Sequence, residues 1–230
     1  MSSEQPFDLL HYMNAMDDTP IKREHYVRAP LNYIGSKDDS LPIILDHLPH
    51  SKVFVDVFGG SGQVLFAKRP SDLDVYNDRH AGLAAFYKCL QKPDTMAALS
   101  EAVSFMPHSR ELFIDCKETW EAKTDTVLRA AKWYYLVQCS FAGRALYFGR
   151  VTKGKASIHN KIWGNLELFQ AVHERIRHGV TVENQDWKTL CKDYDSPDTV
   201  FYMDPPYFGS NIYAHSFDKS EHIRLCAKIF

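Results

Sequence analysis

Apolar positions first crowd together at Val53-Phe54-Val55-Asp56-Val57-Phe58, a β-branched and aromatic run that starts after Lys52 and is cut short by Gly59-Gly60-Ser61-Gly62. A run of this kind, bounded by glycine, predicts a buried strand entering a tight turn. Residues 63–69 can then open a helix, and Asp72-Leu73-Asp74-Val75-Tyr76-Asn77-Asp78 has the composition of a second strand that ends on an acid. Strand, turn, helix and strand in that order predict the βαβ start of a parallel sheet. The alternation stops after Arg79. Residues 81–90 and 125–139 space Leu, Phe, Tyr, Trp and Val helically, whereas 141–157 carries Gly143, Gly149 and Gly154 among aromatic and basic residues, as a hairpin does. Sheet-like sequence resumes at Gly179-Val180-Thr181-Val182 and again at Asp198-Thr199-Val200-Phe201-Tyr202-Met203. Residues 220–230 then begin an amphipathic helix with Ser220 and Glu221 in its first turn. Residues 1–28 are polar and without a strong period, which predicts a loosely docked leader.

Composition excludes more than it identifies. The chain has 230 residues, 45% of them hydrophobic and 24% charged, which are ordinary globular values and rule out disorder or fibrous repeats. No apolar run approaches the roughly 20 residues that span a bilayer, and the N-terminus has no basic segment followed by an apolar one. Five cysteines lie far apart and never as C-x-x-C, so a reducing cytoplasm is the expected location. Zinc is not expected: there is no H-E-x-x-H and no cysteine–histidine cluster, and His173 and His178 in one helical stretch are read as solvent-facing.

The net charge of −2 argues against a polyanion partner until it is resolved along the chain. Residues 127–163 hold Arg129, Lys132, Arg144, Arg150, Lys153, Lys155 and Lys161 and no acid, leaving 20 basic against 29 acidic side chains elsewhere. A +7 segment inside a −9 remainder is the footprint of a phosphate-binding patch. Arg144 or Arg150 is the expected reader of a guanine edge, with Lys153, Lys155 and Lys161 on phosphates. The interleaved rings of Trp133, Tyr134, Tyr135, Phe141, Tyr147 and Phe148 either build core or wedge into a base stack.

Two constellations carry chemistry. Glycines between a strand and a helix let a ligand approach the backbone and meet free N–H groups. A dinucleotide fingerprint fails here because its third glycine falls on Leu65, and a P-loop fails because no Gly-Lys-Ser/Thr follows. The second constellation, Asp204-Pro205-Pro206-Tyr207, places a carboxylate, a rigid reversal and a ring at the carboxyl end of an apolar strand, where open α/β sheets bind ligands. An exocyclic amine on a nucleobase is a poor nucleophile because its lone pair is delocalised into the ring. Acceptors at the Asp204 carboxylate and the Pro205 carbonyl can take both amino hydrogens and aim the lone pair at a sulfonium methyl, while Tyr207 stacks on the base. A two-proline turn with a surface acid is the plain alternative. Cytosine-C5 chemistry is excluded, since no Pro-Cys pair is present.

With these motifs in this order, the chain resembles the Dam-type (D12 class) DNA adenine-N6 methyltransferases from residue 31 onward. Asp56-Val57-Phe58-Gly59-Gly60-Ser61-Gly62 is similar to the cofactor loop of S-adenosylmethionine-dependent methyltransferases, and Leu31-Asn32-Tyr33-Ile34-Gly35-Ser36-Lys37 resembles the segment that closes the cofactor pocket. Asp204-Pro205-Pro206-Tyr207 resembles the catalytic motif, followed by Tyr213 and Phe217 at similar spacing. The resemblance implies S-adenosylmethionine held by Tyr33, Lys37, Asp56, Phe58, Gly60, Gly62, Asp78 and Asp186, with double-stranded DNA as partner and no metal; the alternatives are another amino-group methyltransferase, acting on cytosine N4, RNA or a protein amide, and a catalytically inactive nucleic-acid-binding relative. Asp78 is expected on the ribose, Asp186 on the cofactor's adenine amine, and Lys37 on a carboxylate such as the methionyl group; a turn acid, a helix cap and a surface lysine are the plain alternatives. Val57 and Gly59, flanking Phe58, depart from the family pattern in a way expected to be harmless, and the inserted region matches the family only faintly. The implied fold is α/β: a Rossmann-like methyltransferase sheet of order 3-2-1-4, formed by 29–79 and 179–230, with a helical and β-hairpin target-recognition insertion at 80–178. The family's sheet has seven strands, so a sheet that is C-terminally incomplete, or completed by another chain, is expected.

Overall fold

A computed structural model describes residues 26–150, 158–177, 179–209 and 217–229; the side chains of 158–163 and 229 lie outside the description. The chain runs α1 (Leu41–His47), β1 (Val53–Asp56), α2 (Gln63–Ala67), β2 (Leu73–Asn77), α3 (Ala81–Leu90), α4 (Pro93–Ser104), α5 (Arg110–Thr119), α6 (Thr126–Gln138), α7 (Ile158–Ile176), β3 (Val180–Glu183), α8 (Trp187–Asp193), β4 (Thr199–Tyr202) and α9 (Lys219–Ile229). The strands form one parallel sheet in the order β3-β2-β1-β4, as the family resemblance implies. Parallel pairing explains why β1 and β2 read as near-continuous apolar runs, for both of their faces are covered.

Side chains two apart along a strand share a face, and the sheet sorts its residues accordingly. Phe54, Tyr76, Val180 and Val182 join the large core beneath α2, α3, α6 and α7. Val55, Val57 and Val75 point the other way, into a smaller core with Trp187 and Leu190 of α8 and Leu225 of α9. The helices of 80–178 therefore share one apolar core with the sheet. Every residue of α3 except Ala81 and Lys88 is buried, which makes it a core helix rather than an amphipathic surface one.

Local chemistry sets the boundaries. The α2 helix ends at Ala67, short of Pro70, because the residue before a proline is steered away from helical geometry. Pro93 sits in the first turn of α4, and the Ser109 and Asp125 side chains accept from the Leu112 and Leu128 N–H groups to cap α5 and α6. The hairpin expected over 141–157 is, in its described part, a 3-10 turn at Phe141–Gly143 and a single antiparallel bridge between Ser140 and Phe148. Lys153 and Lys155 lie outside the described residues, as does nearly all of the leader.

The solvent-facing reading of His173 is corrected: it is buried and its Nδ1 lies 2.7 Å from the Leu90 carbonyl oxygen. Phe169, Val172, His173 and Ile176 fall at helical spacing on the buried stripe of α7, so position overrode polarity. His178 is outside the described residues. Nearby, Asp74 is 1% exposed and accepts from Lys68 Nζ at 2.7 Å and Arg175 at 2.5 Å, joining α2, β2 and α7 below the sheet's carboxyl edge. All five cysteines are free thiols. No described helix is long and apolar enough to cross a membrane.

Candidate functional site

The carboxyl ends of β1, β2 and β4 open into one cavity of about 1080 Å³, continuous with solvent. The glycine turn forms one wall. Gly62 caps α2 with φ +73°, and a Cβ there would lie 2.5 Å from the Phe66 ring, so both backbone geometry and space require glycine. The turn is held from several sides: Gly59 N–H donates to the Asn77 carbonyl at 2.7 Å, the Tyr76 hydroxyl donates to the Gly60 carbonyl at 2.8 Å, and the Tyr87 hydroxyl donates to the Ser61 carbonyl.

Asp78 stands at the end of β2. One carboxylate oxygen accepts from Gly60 N–H at 2.9 Å and the other from His80 N–H at 2.7 Å, which fixes the carboxylate at the cavity wall. Asn77 ties the neighbouring strand ends together, donating to the Val57 carbonyl at 2.9 Å and accepting from Gln185 N–H at 2.8 Å. Phe58 meets Phe217 edge to face at 5.5 Å and Trp187 lies 6.4 Å from the same ring, making an apolar slot beside the acid.

Asp56, at the end of β1, lines the cavity yet is 2% exposed, and its Oδ1 has no hydrogen-bond partner among the described residues. Burial, then the charges of Asp204 and Asp78, push its carboxyl well above the usual carboxylate range. Asp204 follows β4, the neighbour of β1, where Asp56 is in register with Tyr202. Two motifs far apart in sequence therefore meet across one strand pair. Lys37, from the N-terminal loop, forms an ion pair with Asp204 and donates to the Gly35 carbonyl at 3.0 Å and the Tyr207 hydroxyl at 3.4 Å. Burial alone would lower the Lys37 ammonium, but the Asp204 and Tyr207 contacts outweigh it and its pKa is raised. The carboxylate partner of Lys37 here is Asp204. Tyr33 also lines the cavity and packs edge to face on Trp133 at 6.3 Å.

The comparisons with known proteins agree with this arrangement. The model of the D12 class N6 adenine-specific DNA methyltransferase family matches residues 33–229. The chain belongs to this family. Its sequence is 29% identical over 194 residues to Modification methylase LlaI of Lactococcus lactis subsp. lactis, covering 78% of this chain and 30% of that protein. It is 25% identical over 189 residues to DNA adenine methylase of Vibrio cholerae serotype O1, covering 78% of this chain and 65% of that protein. The chain thus spans less than two thirds of the length of either relative.

Within this D12-class chain, the other expected residues are dispersed. Asp186 caps α8, accepting from Lys188 N–H at 3.1 Å, and pairs with Arg79 at 3.5 Å, while its neighbours Gln185 and Trp187 line the cavity. Of the basic segment, Arg129 donates to the Lys123 and Glu121 carbonyls, and Lys132 pairs with Asp115 at 2.7 Å, so these two brace the helices. Arg144 and Arg150 are exposed; Lys161 lies on α7 with its side chain outside the description. Arg144 belongs to a loop seated by Gly143, where a Cβ would come within 1.8 Å of the Asn32 carbonyl oxygen, next to Tyr33 of the cavity wall. That loop exposes Phe141 by 71% and Tyr147 by 75%.

Glu221 is the functional candidate that motif reading left aside. From the first turn of α9 it lines the cavity and accepts from Trp187 Nε1 at 2.8 Å, Lys188 Nζ at 2.8 Å and Arg224 at 3.1 Å. These contacts fasten α9 to α8 across the apolar slot. Its sequence signal was only an acid in a helix's first turn, which dipole chemistry already favours. Among the described residues no cluster of three or more His, Cys, Asp or Glu side chains is disposed to hold a metal.

Proposed function

We propose that this chain is an adenine-N6 DNA methyltransferase that takes its methyl group from S-adenosylmethionine and acts on an adenine flipped out of duplex DNA. The observation that carries this reading is the meeting of the glycine turn, Asp78 and the Asp204–Tyr207 motif at one cavity. The donor set fits the cofactor. The Asp78 carboxylate lines the wall where a ribose would lie, Phe58, Trp187 and Phe217 offer apolar faces to an adenine, and Asp56 supplies a buried acceptor, unpartnered among the described residues, for the positively charged end. Tyr33, Gly60 and Gly62 complete that side, and Asp186 holds the start of α8 beside it. Bound there, S-adenosylmethionine supplies an electrophilic methyl group.

The protein's own residues then position the amine. Asp204 and the Pro205 carbonyl accept its two hydrogens, concentrating the lone pair on nitrogen, and Pro206 fixes the reversal that keeps those acceptors in place. Tyr207, exposed beside them, stacks on the extruded base. Lys37 must leave Asp204 as the amine arrives. No covalent enzyme intermediate is needed. With DNA as its substrate and five free thiols, the protein is proposed to work in the cytoplasm. The test is to incubate the protein with S-adenosylmethionine and duplex DNA, digest to nucleosides and analyse by mass spectrometry. N6-methyldeoxyadenosine is expected; N4-methylcytosine alone, or no methylation, overturns the proposal.

Two further results are expected. Arg144→Ala and Arg150→Ala should each weaken duplex binding about tenfold, and the salt dependence of binding should fall by about one counterion for whichever arginine holds a phosphate rather than a base. Unchanged affinity and unchanged target sequence in both variants would remove the basic loop from the interface. Glu221→Ala should raise the cofactor's KM about tenfold with kcat nearly constant, because it loosens the α8–α9 wall without touching the amine site. A fall in kcat at constant KM would place Glu221 elsewhere in the mechanism.

A further inference from the structure

Asp56 is out of place as an ordinary carboxylate. It sits at the carboxyl end of a central strand, almost wholly buried, with one oxygen lacking any partner among the described residues, although buried acceptors in proteins are normally satisfied. The groups facing it come from every neighbouring element. Asp204 follows β4 and Asp78 follows β2, both of like charge; Lys37 of the N-terminal loop and Lys68 after α2 oppose them. The Tyr76, Tyr87 and Tyr202 phenols, pushed up by burial, stay neutral beside it. Lys37 is committed to Asp204 and Lys68 to Asp74, so neither cation pairs with Asp56 directly. Among the described residues no cation is paired with Asp56, and the proposed cofactor would bring one into the cavity that it lines.

We infer that Asp56 carries a proton before the cofactor binds and releases it to solvent as the sulfonium arrives, so that binding of S-adenosylmethionine and ionisation of Asp56 are one event. This rests on the cofactor assignment above. The charge balances: one positive charge enters the cavity and one proton leaves it. The consequence reaches turnover. Once the methyl group has been transferred the sulfur is neutral, the stabilisation of the Asp56 carboxylate is gone, and the site favours the proton again. The protein therefore distinguishes the cationic methyl donor from its neutral product by the protonation of one side chain. Desolvation and the two like charges hold the Asp56 pKa high, in the direction this requires.

The sign also fixes a stability effect. A carboxyl with a raised folded-state pKa binds its proton more tightly when folded, so its contribution to stability is present at low pH and lost as pH rises from the unfolded value toward the folded one. Asp56→Asn should therefore melt higher than the parent by about 2–4 °C at alkaline pH, with the gap closing toward about pH 4.

The deciding experiment is isothermal titration calorimetry in buffers of different ionisation enthalpy, from about pH 5 to about pH 8. S-adenosylmethionine should release about one proton per site from the parent protein within that range, S-adenosylhomocysteine clearly less, and Asp56→Asn none with either. Equal proton release by the two ligands, or the same release from Asp56→Asn as from the parent, overturns the inference. Measurable binding without proton release does so too and leaves the cofactor assignment standing, whereas absence of binding removes the assignment itself. The comparison of the two ligands on the unsubstituted protein keeps the test decisive even if Asp56→Asn folds poorly.

Discussion

Asp204→Ala is expected to lower methyl transfer by about 10³-fold or more, while leaving duplex binding and cofactor binding close to those of the parent protein. In the proposed mechanism Asp204 is an acceptor for the amine on which charge develops, and an aligned, partly desolvated group in that role is worth more than in water. Its removal also strands Lys37, which keeps Gly35 and Tyr207 as partners but loses its carboxylate. Asp204→Asn separates these effects: an amide oxygen can still accept one amino hydrogen but cannot hold Lys37 as an ion pair, so the variant should retain measurable activity above Asp204→Ala. Single-turnover methylation with saturating DNA and cofactor makes the measurement. Full activity in Asp204→Ala would refute the role given to the motif.

The parallel sheet was legible because β1 and β2 are short apolar runs with sharp ends, punctuated by the glycine turn and the Asp78 end of β2, whereas its strand order followed only from the family resemblance. Asp204 and the glycine turn were recognised separately, but their adjacency belongs to the β1–β4 pairing, a contact between segments too distant for any local pattern to encode. The same limit hid Glu221, whose hydrogen bonds to Trp187 and Lys188 cross from one helix to another. His173 was misread for a different reason: its polarity suggested solvent, while the spacing of Phe169, Val172 and Ile176 had already placed it on the buried stripe. The basic segment was legible as charge but not as geometry. Counting charges could not show that Arg129 and Lys132 brace helices while Arg144 stands exposed on a loop seated against Asn32.

The largest stability effect is expected at Asp74. Its carboxylate joins Lys68 and Arg175, each almost fully buried, and Arg175 also donates to the Leu65 carbonyl at 3.0 Å. Burial pushes the Lys68 ammonium down to about 8, even though Asp74 pulls the other way. Removing the shared acid leaves two buried cations facing each other, and breaking a buried ion pair from one side costs about 3–5 kcal/mol. Asp74→Ala should therefore lose that much in urea unfolding, or fail to accumulate as folded protein. Lys68→Met should cost far less, about 1 kcal/mol, because Arg175 still pairs with Asp74 and the apolar chain still fills the space over the Phe54 ring. The pH dependence separates the roles. A lysine whose folded pKa is depressed binds its proton less tightly when folded, so its contribution to stability improves as pH rises from about 8 toward the unfolded value near 10.5. That improvement should be present in the parent protein and missing from Lys68→Met. Equal losses in the two variants would mean that the triad acts as one indivisible unit, and that the acid is not the member on which the two cations depend.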